Sequence, residues 1–107
     1  MAYDTYDFPD HEKGDTYEGS TFTVLVNGVA LDLTDATISV KLWGGSDTYT
    51  LTTTDGELTI TDAANGVFTV DEQVINFNAR TYCHEFTFTL STGAVKTYIK
   101  GTWKITR

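Results

Sequence analysis

From Arg80 to Arg107 the chain alternates apolar and polar residues in two long runs, and that pattern restricts the fold more than any other feature. Over residues 81–90, Tyr82, His84, Phe86, Phe88 and Leu90 share one parity while Cys83, Glu85, Thr87 and Thr89 share the other. A β-strand sends successive side chains to opposite faces, so these are two separate surfaces. Over residues 95–106, Val95, Thr97, Ile99, Gly101, Trp103 and Ile105 alternate with Lys96, Tyr98, Lys100, Thr102 and Lys104. Joined by a turn at Ser91-Thr92-Gly93, the two runs make an antiparallel hairpin with one dry face. Phe86, Phe88, Ile99 and Trp103 are expected at the centre of a core.

The rest of the chain supplies shorter strands. Residues 1–8 alternate weakly and read as an arm or an edge strand, and Pro9 to Asp15 as a charged loop, giving an arm over residues 1–14 and a sandwich domain over 15–107. Ser20 to Val26 is a strand that Asn27-Gly28 returns into a short one from Val29 to Leu33, because both turn residues tolerate the positive φ of a type I′ hairpin. Ala36 to Trp43 is expected to be a central strand, followed by strands near 49–53, 58–61 and 67–70 with Gly, Asp and Asn at the corners. Residues 71–79 lack a period of two; Val74, Ile75 and Phe77 are expected to plug the core from a crossover with room for one helical turn. Tyr82 opens a long strand after this irregular segment, where sandwich folds place a tyrosine whose hydroxyl bonds to backbone upstream. Turn signals every 8–12 residues and the absence of an amphipathic helical pattern predict an all-β antiparallel sandwich of about seven to nine short strands. A small barrel is the alternative.

Charge and cysteine content narrow the function. A formal charge of −8 on 107 residues argues against nucleic acid, whose phosphates would be repelled over most of the surface. Six acids, Asp4, Asp7, Asp10, Glu12, Asp15 and Glu18, lie in the first 19 residues, whereas Lys96, Lys100, Lys104 and Arg107 lie in the last 12. One cysteine, Cys83, excludes an intrachain disulfide. No run approaches the roughly 20 apolar residues of a membrane helix, and the first residues have neither the cationic start nor the apolar run of a secretion signal. Synthesis in a cytoplasm, with no membrane partner, is the expectation.

Chemistry-bearing groups are few. Cys83 and His84 are neighbours on a strand, so they point to opposite faces and cannot form a nucleophile–base pair within it. Asp10-His11-Glu12 offers three ligand types without a recognised metal spacing. The loops 53–57 and 61–66 carry Asp and Asn beside Gly but not the dense acid alternation of a calcium loop. Neither catalytic nor metal-binding nor cofactor-binding residues are therefore expected. Tyr3, Tyr6, Tyr17, Tyr49, Tyr98 and Trp43 are candidates for exposed aromatics that anchor a protein interface or stack on sugar rings.

Several stretches share their turn chemistry with a known family: 14–19 (Gly-Asp-Thr-Tyr-Glu-Gly), 26–38 (Val-Asn-Gly-Val-Ala-Leu-Asp-Leu-Thr-Asp-Ala-Thr-Ile), 60–68 (Ile-Thr-Asp-Ala-Ala-Asn-Gly-Val-Phe) and 92–98 (Thr-Gly-Ala-Val-Lys-Thr-Tyr). From about Asp7 to Thr106 the chain resembles the immunoglobulin-like domain of tailed-phage structural proteins, particularly the amino-terminal domain of upper baseplate proteins. The resemblance implies an immunoglobulin-like sandwich in a virion, at a baseplate, tail or neck or decorating a capsid, that docks to other virion proteins in a multi-copy assembly. It implies neither enzymatic activity nor a cofactor. A carbohydrate-binding or host-adhesion module, with a host-surface glycan as partner, is the competing reading. For an assembly contact the expected residues are Tyr3 and Tyr6 of the acidic arm, and Lys96, Tyr98, Lys100 and Lys104 of the last strand, whose lysines fall on one parity. The arm could fold back on its own last strand or reach a neighbour's. Alternatively, the lysines guard a sheet edge.

Overall fold

The computed structural model describes residues 4–107. Its strands are β1 (Asp4–Thr5), β2 (Phe8–Glu12), β3 (Thr16–Tyr17), β4 (Ser20–Thr23), β5 (Leu25–Val26), β6 (Val29–Ala30), β7 (Thr37–Gly44), β8 (Asp47–Thr52), β9 (Leu58–Asp62), β10 (Val67–Val70), β11 (Gln73–Val74), β12 (Arg80–Thr89) and β13 (Val95–Thr106). A 3-10 turn at Ala63–Asn65 is the one helical element among the described residues.

The large sheet runs β8-β7-β12-β13, and both β1 and β2 pair with β13 in parallel. Facing it is β4-β10-β9, with β3-β11 and β5-β6 as separate two-stranded pairs. Rings from the two layers meet: Phe22 and Phe68 lie 5.3 and 5.7 Å from Phe86, and Tyr17 lies 5.1 Å from Trp103. The protein is a β-sandwich. Phe86, Phe88 and Trp103 are at most 1% exposed and Ile99 6%, as the shared parity of the two long strands demands. The turn at Asn27-Gly28 has φ of 54° and 79°, the positive pair that a two-residue hairpin needs. Tyr82 Oη donates to the Asn78 carbonyl at 2.7 Å, which ties the start of β12 to the crossover.

Several local expectations change. The arm does not stand apart: residues 4–12 form the strand edge of the large sheet, and Phe8 stacks on Trp103 at 4.2 Å inside the core. Pro9 is tolerated there because an edge strand has amides without a ladder partner, so the charged loop shrinks to a turn around Lys13-Gly14-Asp15. The run 20–26 breaks at Val24, whose N–H donates to the Gly66 carbonyl while its own carbonyl accepts from Leu31. A Cβ on Gly66 would lie 2.8 Å from both Val24 O and Leu31 O, so that corner requires glycine. After the hairpin only Val29–Ala30 is strand, short of Leu33.

Residues 71–79 contain no helical turn. Gln73–Val74 pairs with β3 instead; Ile75 is buried and Phe77 stacks on Tyr49 at 4.0 Å, but Val74 is 61% exposed and plugs nothing. The last change concerns β13. Phe86 pairs with Ile99 but Thr87 pairs with Thr97, leaving Tyr98 as the extra residue of a bulge. The single alternation expected along the strand is therefore two alternations of opposite phase.

Candidate functional site

The bulge decides where the expected interface residues go. Lys100 and Lys104 keep the outward parity opposite Ile99, Trp103 and Ile105. Lys96, across from Phe88, takes the parity of the core-facing residues at the sandwich rim, so the three lysines do not form one row. Tyr98 leans on Phe88 at 5.7 Å, and Tyr6 packs edge-on against Phe8 and Phe22, both at 4.9 Å. These two tyrosines are half-buried within the fold, and Tyr3 lies outside the described residues. From Ile99 to Thr106, β13 is covered by β1 and β2 over most of its length, so Lys100 and Lys104 do not guard an open edge.

A glycine and a histidine hold this covering strand. At the pair His84↔Gly101 the second residue has no side chain, and a Cβ there would fall 1.8 Å from the Tyr6 carbonyl oxygen. The Tyr6 carbonyl occupies the room that glycine leaves, and His84 Nε2 donates to it at 2.7 Å. Tyr6 N–H in turn donates to the Lys100 carbonyl at 2.8 Å. Between β1 and β2, Asp7 Oδ1 accepts from Thr102 N–H at 3.0 Å and from its hydroxyl at 3.2 Å, replacing the backbone acceptor that the ladder lacks at this point. His84 is 1% exposed. Burial holds its pKa below the ordinary value, against the opposing effects of the Tyr6 carbonyl and the Asp7 carboxylate. With the proton on Nε2, Nδ1 is an acceptor, and among the described residues it has no partner.

The opposite surface of the same strands carries two of the clefts found among the described residues. Trp43, Cys83 and Thr102 stand side by side across β7, β12 and β13, and the next cross-strand row is Lys41, Glu85 and Lys100. All point away from the core, since Leu42, His84, Phe86 and Trp103 point into it. Two adjoining clefts of about 360 and 370 Å³ open here, and Trp43 and Glu85 line both. Among the described residues of the aromatic set singled out in the sequence, Tyr17 is buried at 8%, Tyr49 is packed on Phe77, and Trp43 is the exposed one at 38%. Sequence parity placed Trp43 outward; that two clefts flank it depends on how residues from β1, β7, β8, β12 and β13 come together around it, which no sequence period reveals.

Several other polar groups close turns and corners. Arg80 Nε pairs with Asp47 at 3.1 Å and its Nη1 donates to Gly44 O at 2.6 Å, closing the β7–β8 corner. Glu57 Oε1 accepts from Thr52 N–H, Asp62 Oδ2 from the Asn65 amide, and the Asp15 carbonyl from His11 Nε2. Among the described residues no three His, Cys, Asp or Glu side chains converge as metal ligands would. Cys83 is exposed while His84 is buried, so strand alternation separates them as expected. Comparison with protein-family models, with curated proteins and with solved structures finds no match.

Proposed function

We propose that the chain is a non-enzymatic structural domain of a tailed-phage virion, an immunoglobulin-like sandwich that docks to other virion proteins in many copies. The observation that carries this reading is the Tyr82 clamp onto Asn78, set within a particular strand order. With β4, β7, β8, β9, β10, β12 and β13 taken as strands B, C, C′, D, E, F and G, the layers read G-F-C-C′ and B-E-D, which supports an immunoglobulin-type assignment. The tyrosine corner of those folds also lies at the start of strand F. The resemblance carried by the turn motifs at 26–38 and 60–68 implies the same architecture, and the docking role rests on that resemblance, since one fold hosts many functions. The test is co-expression with the products of the neighbouring genes, followed by purification of the particles formed. The chain is expected to travel with the particles at a fixed copy number. Particles that assemble completely while the chain stays behind as a free monomer would overturn the proposal.

A further inference from the structure

The outer face of the large sheet joins an exposed indole to a set of polar groups with no net charge of their own. Trp43 forms the wall shared by both clefts, at 38% exposure, whereas the other tryptophan, Trp103, is 1% exposed. Around it stand two carboxylates, Asp7 and Glu85, and two ammonium groups, Lys41 and Lys100, with the hydroxyls of Thr48 and Thr102 between them. Glu85 lies in register with both lysines, so each positive charge has a negative one directly across the strands. A strongly charged ligand gains little from such a balanced surface, and an anion is further opposed by the overall charge of −8. A purely apolar ligand would strip water from four charged groups for the sake of one ring.

The ligand that fits has one apolar face and many groups that both donate and accept hydrogen bonds. We propose that this cleft binds an uncharged saccharide, one pyranose face lying on the Trp43 indole and the hydroxyls shared among Glu85, Lys100, Lys41 and the threonines. An aromatic face recognises the C–H face of a sugar ring, and carboxylate, ammonium and hydroxyl together satisfy hydroxyls in both roles. The clefts, about 360 and 370 Å³, sit at the small end of the ~300–1,000 Å³ typical of ligand sites, enough for a short oligosaccharide lying across both. Asp7, bonded to the Thr102 N–H and hydroxyl, fixes one end of the site through the strand that covers β13. This inference does not depend on assembly into a virion; a saccharide site would serve a docking domain or a free one.

Cys83 gives the test a second readout, because the sole thiol of the chain lies exposed on the lining of the cleft beside Trp43. The full chain is screened on an array of uncharged gluco-, galacto-, manno- and N-acetylhexosamine oligosaccharides, with sialylated and sulfated glycans as controls. A glycan that binds is then titrated against the parent, Trp43→Ala and Trp43→Phe, and the rate of Cys83 alkylation by iodoacetamide is measured with and without it. The expected result is binding of an uncharged glycan that slows alkylation, weakens by about tenfold or more in Trp43→Ala and is partly kept in Trp43→Phe. An unchanged melting temperature in Trp43→Ala assigns the loss to the site and not to folding. Silence of every uncharged glycan, binding confined to anionic ones, equal binding by Trp43→Ala or unaltered alkylation each overturns the proposal.

Discussion

Two side chains of β12 that point into the core, Tyr82 and His84, each spend a polar atom on fixing a neighbouring segment. Burial pushes the Tyr82 hydroxyl up to about 12, with Tyr49 and Asp47 acting in the same direction, so it remains a hydrogen-bond donor to Asn78 at any ordinary pH. Tyr82→Phe should lower stability by about 0.5–1.5 kcal/mol, read from a denaturant midpoint at unchanged slope. His84 works differently, since it titrates. Its folded pKa lies below the ordinary imidazole value of about 6.5, so between those two values the unfolded chain binds more protons than the folded one. The stability this residue contributes is complete above about 6.5 and is lost as the pH falls from there through the depressed value. Denaturant midpoints taken between neutral and mildly acidic pH should fall in the parent and fall less in His84→Gln; parallel curves would show that another group carries the effect. The tyrosine's position was legible because it opens a long strand after an aperiodic segment. The histidine's role was not, because its partner is a backbone carbonyl 78 residues away.

At the scale of strands, parity told which side chains are buried but not where a strand changes partner. Val24, Tyr98 and Pro9 mark the three places where this happened: a jump to Gly66, a bulge, and an edge strand that needs fewer donors. Each depends on a partner distant in sequence, which a local period of two cannot report. The edge strand makes the clearest prediction. In Gly101→Ala the added carbon would meet Tyr6 O at 1.8 Å and its carbonyl carbon at 2.6 Å, and both atoms are backbone, so residues 4–12 must leave their place. Hydrogen exchange should then accelerate at Tyr6 and Thr102 while the β7–β12 ladder stays protected; protection retained at both amides would mean that the strand can shift without detaching. Gly28 is the opposite case, because nothing lies within 4 Å of its would-be side chain and only its φ of +79° opposes substitution. Gly28→Val should cost about 1–2 kcal/mol from backbone strain alone, checked by thermal melting.

For the molecule as a whole, the covering strand ties folding to any assembly contact. Phe8 stacks on Trp103, so Trp103→Ala removes the ring beneath it and should cost about 3–5 kcal/mol, a large part of a typical stability of ~5–15 kcal/mol. Deleting the first twelve residues would take Phe8 out of the same core, so that truncation reports on folding before it reports on docking. Charge offers a cleaner probe. Asp32, Asp35, Asp55, Asp62 and Glu72 are exposed in the second layer and its loops, while Lys41 and Lys104 are exposed on the outer face of the large sheet. In the proposed assembly an acidic segment of a partner, a neighbouring copy included, would meet Lys41 and Lys104 on an otherwise charge-balanced face, and head-to-tail contact of that kind closes a ring or extends a filament. Exposed ion pairs contribute only about 0–1 kcal/mol each, so the charges act mainly on the rate and orientation of encounter. Lys41→Glu with Lys104→Glu should therefore slow incorporation into particles at low salt, with the difference from the parent fading as salt screens the field. Lys96→Glu serves as the control of equal charge change for each single exchange, Lys41→Glu and Lys104→Glu, because the Tyr98 bulge carries Lys96 off that face. Equal slowing by the control would mean that net charge alone governs assembly, and no slowing by the double variant would remove the outer face from the docking contact.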